Sequence, residues 1–406
     1  MLNITDNAQE QKIPAFFRLG FRPFFLSATI FSVTAIALWI AALSGWLNFE
    51  PYGGLFFWHA HEMLFGFVIA IIVGFLLTAV QTWTGVSGVR GWSLFGLFMV
   101  WLVARVGMLI GPQHLLFETI LVLLDILFLP LSAYLLAKPI IKVRQYRNLF
   151  FVPVLAILAL SNVFTHLTIS PHFDIPITFQ EIHYTVIMLI TMIMVIMGGR
   201  VIPFFTANAT KVVKRQPIKI LEQVALGSMW LLALCFVFNI PSNSASFPWL
   251  AGLSLIAATT NMARCLRWNF QHTLSIPLLW SLHLAYSLIP ISLFLFACHY
   301  AFGLFNLSSI IHCLTLGAMA NLILAMISRV SLGHSGRPLQ LHPFMPIAFL
   351  LLLIATLIRF VGVNFYSQSS LMSWQISALL WIVSFSAFAI IYWPVLTRPR
   401  VDGRPG

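Results

Sequence analysis

The sequence predicts an all-helical integral membrane protein of about twelve transmembrane helices, with both termini cytoplasmic and a division into three four-helix units. Three observations carry that prediction. Of 406 residues, 60% are hydrophobic and only 8% are charged, whereas soluble chains carry about a quarter charged residues, so a soluble domain is excluded. The apolar residues fall in runs of the roughly 20 residues that a helix requires to cross a hydrocarbon layer about 30 Å thick. Basic residues occupy alternate loops, as the retention of Lys and Arg on the cytoplasmic side dictates.

The first six expected segments are 24–43, 61–80, 92–110, 115–136, 150–168 and 181–204, and the second six are 220–240, 247–265, 276–301, 307–327, 344–363 and 371–393. Nineteen of the 22 basic residues then lie at the termini, in alternate loops or, for Arg264, at the segment end beside such a loop: Lys12, Arg18 and Arg22; Arg90; Lys138, Lys142, Arg144 and Arg147; Lys211, Lys214, Arg215 and Lys219; Arg264 and Arg267; Arg329 and Arg337; Arg398, Arg400 and Arg404. The other six loops hold none, and a missed or invented helix would scramble this alternation. The net charge of +12 therefore sets topology and does not mark a nucleic-acid surface. With no long loop, residues 1–406 read as one transmembrane domain. Cys235, Cys265, Cys298 and Cys313 form no C-x-x-C pair and read as buried thiols.

Ionisable groups at membrane depth are functional candidates. His59 and His61 open the second segment, His183 the sixth and His312 the tenth, while His166 and His299 close the fifth and ninth. These six form one expected outer layer, and His283 lies deeper. A single such histidine is ordinarily an interfacial side chain, but six at one level favour metal, because several imidazoles must converge on haem iron or copper. If Trp58-His59-Ala60-His61-Glu62 is helical, its two imidazoles face opposite sides; if it is loop, both could bind one ion. The stripe Gly66, Ala70 and Gly74 below His59 reads either as close helix packing or as room for a flat macrocycle.

The offsets His61, Gly66, Gly85 recur as His312, Gly317, Gly336, a weak internal echo. Arg105 and Arg359 lie towards the outer ends of their segments, where they either snorkel to the interface or pair with the propionates of a haem. Glu62 and Glu181 flank the histidine layer, and Glu118 and Asp125 share one helix face as proton-path members or polar partners. Gly198 to Pro203 and Ser331 to Pro338 read first as helix terminators, with anion contact as the second option.

Four stretches carry a specific resemblance: Arg18-Leu19-Gly20-Phe21-Arg22-Pro23-Phe24-Phe25; Trp58-His59-Ala60-His61-Glu62-Met63 with Gly66; Gly199-Arg200-Val201-Ile202-Pro203-Phe204-Phe205-Thr206; and Arg329-Val330-Ser331-Leu332-Gly333-His334-Ser335-Gly336-Arg337-Pro338. Together they resemble the NnrS family over nearly the whole chain. The resemblance implies a bacterial inner-membrane protein that carries haem and copper and acts in nitric oxide metabolism and resistance to nitrosative stress. His59, His61, His312 and His334 lie in matching motifs, His166 and His283 in similar segments, and His299 in none.

The plan is also similar, more distantly, to the haem-copper oxidase and nitric oxide reductase superfamily. The paired adjacent histidines of that superfamily's seventh helix have no counterpart in 220–240, so His166 would have to substitute. The expectation is a haem b and copper protein that binds, and in a reductase reading reduces, nitric oxide or another small diatomic. His61 and His312 are the expected haem ligands and Arg105 and Arg359 the propionate partners. His59, His166, His183 and His283, with His61 and His312, are the expected metal-binding set. Lipid surrounds the chain, a reductive step would draw on a quinol or another electron donor, and no nucleic acid is involved. The rivals are a secondary transporter or metal exporter without redox chemistry, and a non-catalytic haem sensor or assembly factor.

Overall fold

The computed structural model describes residues 10–111, 114–239 and 248–404. Among these the regular structure is all helical. Twelve long helices follow in order: α1 (Phe21–Leu43), α2 (Leu55–Thr84), α3 (Trp92–Ile110), α4 (Leu115–Lys142), α5 (Phe151–Leu167), α6 (Phe179–Thr210), α7 (Lys219–Val237), α8 (Pro248–Leu266), α9 (Pro277–Phe302), α10 (Leu307–His334), α11 (Phe344–Phe365) and α12 (Ser370–Thr397). Each expected segment is thus a helix. Eleven are long and apolar enough to cross a membrane; α8 falls short because Ser254, Thr259, Thr260, Asn261 and Arg264 interrupt its apolar run. The expected ends at Ile240 and Phe247 lie outside the described residues.

Helix boundaries have local causes. The His114 ring accepts the Phe117 N–H at the start of α4 (3.2 Å), and the Asn306 side chain accepts the Ser308 N–H at the start of α10 (2.9 Å), each satisfying a donor that a helix leaves open. Pro277 opens α9, where its missing N–H costs nothing. Two helices are not uniformly α: α2 passes through a π-helical stretch at Glu62–Val68, and α10 through one at Cys313–Ala320. Such stretches widen a helix by one residue per turn and concentrate at functional sites.

The described residues form two compact units, where the histidine intervals suggest three. Unit 1 holds residues up to Phe179 with 327–340 and 385 onward; unit 2 holds 180–326 and 341–384.

In unit 1, α1 packs on α2, α2 on α4, α3 on α4 and α4 on α5. The small-residue stripe of α2 serves that packing: a Cβ on Gly74 would come within 2.8 Å of Phe24 Cβ and 3.2 Å of the Gly20 carbonyl. Gly74→Ala is therefore expected to destabilise the chain by about 1–3 kcal/mol, the cost of overpacking a filled interface, measurable as a lowered unfolding midpoint in detergent. The Arg18 to Phe25 motif also has a structural task. The Phe21 N–H donates to Thr78 Oγ1 (2.9 Å), and buried Arg22 donates from Nη1 to the carbonyls of Val395, Leu396 and Arg398 (3.4, 3.0 and 2.7 Å), closing the C-terminal end of α12.

The tail after α12 is tied back by Arg400, whose Nη1 donates to the His334 carbonyl (2.6 Å) and whose other nitrogens hold Asp402 (2.9 and 2.5 Å). Arg400 keeps the Asp402 carboxyl down at about 2. A depressed carboxyl stabilises the fold above its ordinary range, near 4, and loses that contribution as pH falls towards its folded value. Exchange of the Val401 amide, bonded to the Ser335 carbonyl, is thus expected to quicken relative to helix-core amides between about pH 4 and pH 2.

In unit 2, α7 packs on α8, α8 on α9, α9 on α10 and α10 on α11. Arg264 is buried between helices here: it holds Glu222 through Nε and Nη2 (3.0 and 2.8 Å) and donates from Nη1 to Asn261 Oδ1 and the Tyr286 hydroxyl (3.0 and 3.1 Å). A Cβ on Gly199 would strike its guanidinium, so Gly199 in the Gly198 to Pro203 motif makes room for a paired arginine.

Candidate metal centre

The site in unit 1 grows from α2, α3, α4 and α5. Because α2 already begins at Leu55, His59 and His61 lie inside helix and face opposite ways, which settles the helix-or-loop alternative. His59 stacks on Trp39 at 4.1 Å between ring centres, while His61 turns inward and is fully buried.

Around His61 converge Glu62, Arg105, Asp125, Asn162 and His166, all buried. Asn162 and His166 are four residues apart and share one face of α5. His166 Nε2 stands 2.9 Å from Asp125 Oδ2, and His61 Nε2 lies 3.2 Å from that same oxygen and 3.0 Å from Asn162 Oδ1. Asn162 Nδ2 donates to Asp125 Oδ2 (2.7 Å). On its other side His61 Nδ1 meets Glu62 Oε1 (2.9 Å), which also accepts from Arg105 Nη1 (2.6 Å). Arg105 Nη2 pairs with Asp125 Oδ1. The Tyr52 hydroxyl, in the connection before α2, contacts His166 Nδ1 at 3.1 Å, and burial pushes its phenol up, so it keeps its proton.

Two features make this a candidate cation site. His61 Nε2 faces two acceptor oxygens, and one atom each of His61, Asp125 and His166 lie within 4.8 Å of one another; lone pairs converge there, and a Lewis acid or a proton must hold them together. Two carboxyl groups also face one guanidinium, so with both ionised and both imidazoles neutral the cluster would hold one negative charge in excess in a low-dielectric setting. His61 Nδ1 on Glu62 and His166 Nδ1 on Tyr52 are the outer hydrogen bonds by which metal-ligating imidazoles are ordinarily held. The donors fit a single ion. They do not fit a flat macrocycle between His61 and His166, whose Nε2 atoms both rest on one carboxylate oxygen.

The NnrS protein family matches residues 15–400. The chain belongs to that family. Curated proteins give no match.

Within this NnrS chain, the expected site residues divide between the units. His59, His61, His166 and Arg105 are in unit 1; His183, His283, His299, His312 and Arg359 are in unit 2. Only His61 and His166 of the expected metal set meet, among the described residues, in a group of three or more donors. Arg105, expected to hold a propionate, here holds Glu62 and Asp125. His183 is buried on α6. His283 Nε2 meets Thr206 Oγ1 (2.9 Å), and the His299 Nδ1–H donates to the Phe305 carbonyl (3.0 Å), the interfacial role of an ordinary helix-end histidine. The His312 Nδ1–H donates to the Ser308 carbonyl (2.6 Å) and its Nε2 accepts from Arg359 Nη2 (3.0 Å). Asp125 is expected from the sequence as a proton-path member or polar partner and not as a metal ligand, and neither Asn162 nor Tyr52 is expected at the site. The i, i+4 spacing of Asn162 and His166 was the available signal.

Proposed function

We propose that this NnrS-family chain is a copper-binding membrane protein of nitric oxide metabolism, with copper held by His61, Asp125 and His166 in unit 1. The carrying observation is the buried convergence of one potential ligand atom each from His61, Asp125 and His166 within 4.8 Å of one another. With both carboxyl groups ionised and both rings neutral, a cuprous ion would leave the buried cluster neutral. Imidazole donors suit copper, and family membership selects it over zinc or iron. Bound there, copper supplies a one-electron centre able to take a small diatomic such as nitric oxide. The chain's own residues orient it: Glu62 and Tyr52 fix the two rings, Asn162 positions Asp125, and Arg105 pairs with both carboxyl groups.

Haem b is proposed on family grounds and is assigned to none of the residues that hold copper. Twelve crossings with both termini cytoplasmic, in a bacterial inner membrane, are proposed on the alternation of basic loops and the same membership.

Titration of the purified chain in mild detergent with cuprous ion, against a colorimetric chelator, tests the reading. The expected result is one tightly held ion per chain, lost in the doubly substituted Asp125→Asn, His166→Ala protein, while His312→Ala retains it. A wild-type chain that yields its copper to the chelator as readily as the double variant would sink the assignment. An absent Soret band after expression with ample haem would remove the haem proposal and leave the copper site standing.

A further inference from the structure

The two units repeat one local plan. In unit 1, α2 carries His61, passes through its π-helical stretch over Gly66, ends at left-handed Gly85, and is followed by Arg105 on α3. In unit 2, α10 carries His312, passes through its π-helical stretch over Gly317, and is followed by Arg359 on α11, while its end near left-handed Gly336 belongs to unit 1. Each glycine lies beneath the arginine-bearing helix: a Cβ on Gly66 would come within 3.0 Å of Arg105 Nη1, and one on Gly317 within 2.9 Å of Thr356 Cγ2, three residues before Arg359.

The charges differ. The residue after the histidine is Glu62 in unit 1 and Cys313 in unit 2. Where α4 brings Asp125 to Arg105, α12 brings the Trp374 ring, 5.3 Å from the Arg359 guanidinium carbon. His312 adds no compensating charge: the Ser308 carbonyl can only accept and Arg359 can only donate, so the imidazole holds its proton on Nδ1 and is neutral. Among the described residues no carboxylate pairs with Arg359, and its buried Nε–H has no hydrogen-bond partner. A cation on a membrane helix without a counter-charge is expensive. Snorkelling does not account for it, because the Nε–H is buried and Nη2 is turned onto His312. The place remains within reach of solvent: His312 and Arg359 are half-buried, close to the helix ends that Asn364 joins to Asn306 and Ser309 (2.8 and 2.7 Å).

We propose that Arg359 binds a planar monoanion of the carboxylate class, which supplies in unit 2 the counter-charge that Glu62 and Asp125 supply to Arg105 in unit 1. The Nε and Nη edge of a guanidinium presents two parallel donors that match a bent O–X–O outline, shared by formate, nitrite and the carboxylate of a larger bound group. The indole of Trp374 and the thiol of Cys313 supply apolar walls without competing negative charge. The inference does not rest on the copper reading.

Formate titration of the full chain in lipid nanodiscs, at constant ionic strength against chloride, reads the site through the unfolding midpoint. Formate is expected to raise the midpoint saturably where chloride does not, and Arg359→Met to weaken the response about tenfold or more, the loss of a charge-assisted bond. Cys313→Glu, which installs the carboxylate found in unit 1, is expected to raise the midpoint and abolish the response. Asp125→Asn, which disables the copper site, leaves it intact. Protection of the protein as purified assigns the site to a free anion; protection only after a bound cofactor has been stripped assigns it to that cofactor's carboxylate. No formate effect in either preparation, or an equal effect in Arg359→Met, overturns the proposal, and the wild-type comparison stands even if both variants fail to fold.

Discussion

Arg105→Met is expected to lower the stability of the folded chain by about 3–5 kcal/mol, the range for removing one partner of a buried ion pair. Among the described residues, Arg105 is the one guanidinium paired with two buried carboxylates, Glu62 and Asp125. Without it, two negative charges remain out of water, held only by the imidazoles and Asn162. The penalty comes from the charges left behind and not from lost contact, since methionine fills most of the space. Neutralising them in the same chain, Arg105→Met with Glu62→Gln and Asp125→Asn, is therefore expected to recover most of the loss, as buried ion networks replaced by neutral groups commonly do. Denaturant unfolding in mixed micelles, followed by helical signal, measures both differences. A single variant within about 1 kcal/mol of wild type, the range of exposed pairs, would show that water reaches the cluster and that its charge accounting is wrong.

The helices were legible because they follow from local chemistry. Apolar run length and the alternation of basic loops depend only on neighbours in sequence, and each expected segment is a helix. The shortfall of α8 has the same root: Asn261 and Arg264 sit in its run because they meet Tyr286 and Glu222 across helices, and hydropathy registers their polarity without their partners. The π-helical stretches after His61 and His312 were not legible, since a one-residue change of register leaves the apolar pattern nearly intact. The histidine echo was their only trace.

The candidate site was half legible for a related reason. Rarity flags a buried ionisable residue, so His61, His166, Arg105, Glu62 and Asp125 all stood out from the sequence. Pairing is set by packing between distant segments: Asp125 and His166 are 41 positions apart, Glu62 and Arg105 are 43. Arg105 as a propionate partner was a sound reading of a lone membrane arginine. The structure gives it internal carboxylates, whereas Arg359, the other arginine read that way, pairs with none among the described residues. Asn162 and Tyr52 escaped notice because neutral polar residues are common in membrane helices and loops, and they acquire meaning only beside a charge.

Glu62→Gln is expected to weaken cuprous binding about 10–100-fold, the usual effect of losing an outer partner of a metal-bound histidine, although Glu62 is not among the three converging donors. Its Oε1 meets His61 Nδ1, which fixes the ring orientation and would leave Nε2 as the nitrogen that ligates an ion beside Asp125 and His166. The carboxylate also supplies one of the two negative charges against Arg105. Glutamine keeps an acceptor oxygen for His61 but removes the charge, so the cluster becomes neutral before the ion arrives and carries one positive charge afterwards. The ring stays aimed while the electrostatic attraction is lost. Two readouts separate this positioning role from ligation: chelator competition gives the affinity, and X-ray absorption at the copper edge gives the donor set. Glu62→Gln should change the first and leave the second as in wild type, whereas Asp125→Asn should change both. Unchanged affinity in Glu62→Gln would mean that the surplus charge does not select the ion, and copper at His61 would then rest on donor geometry alone.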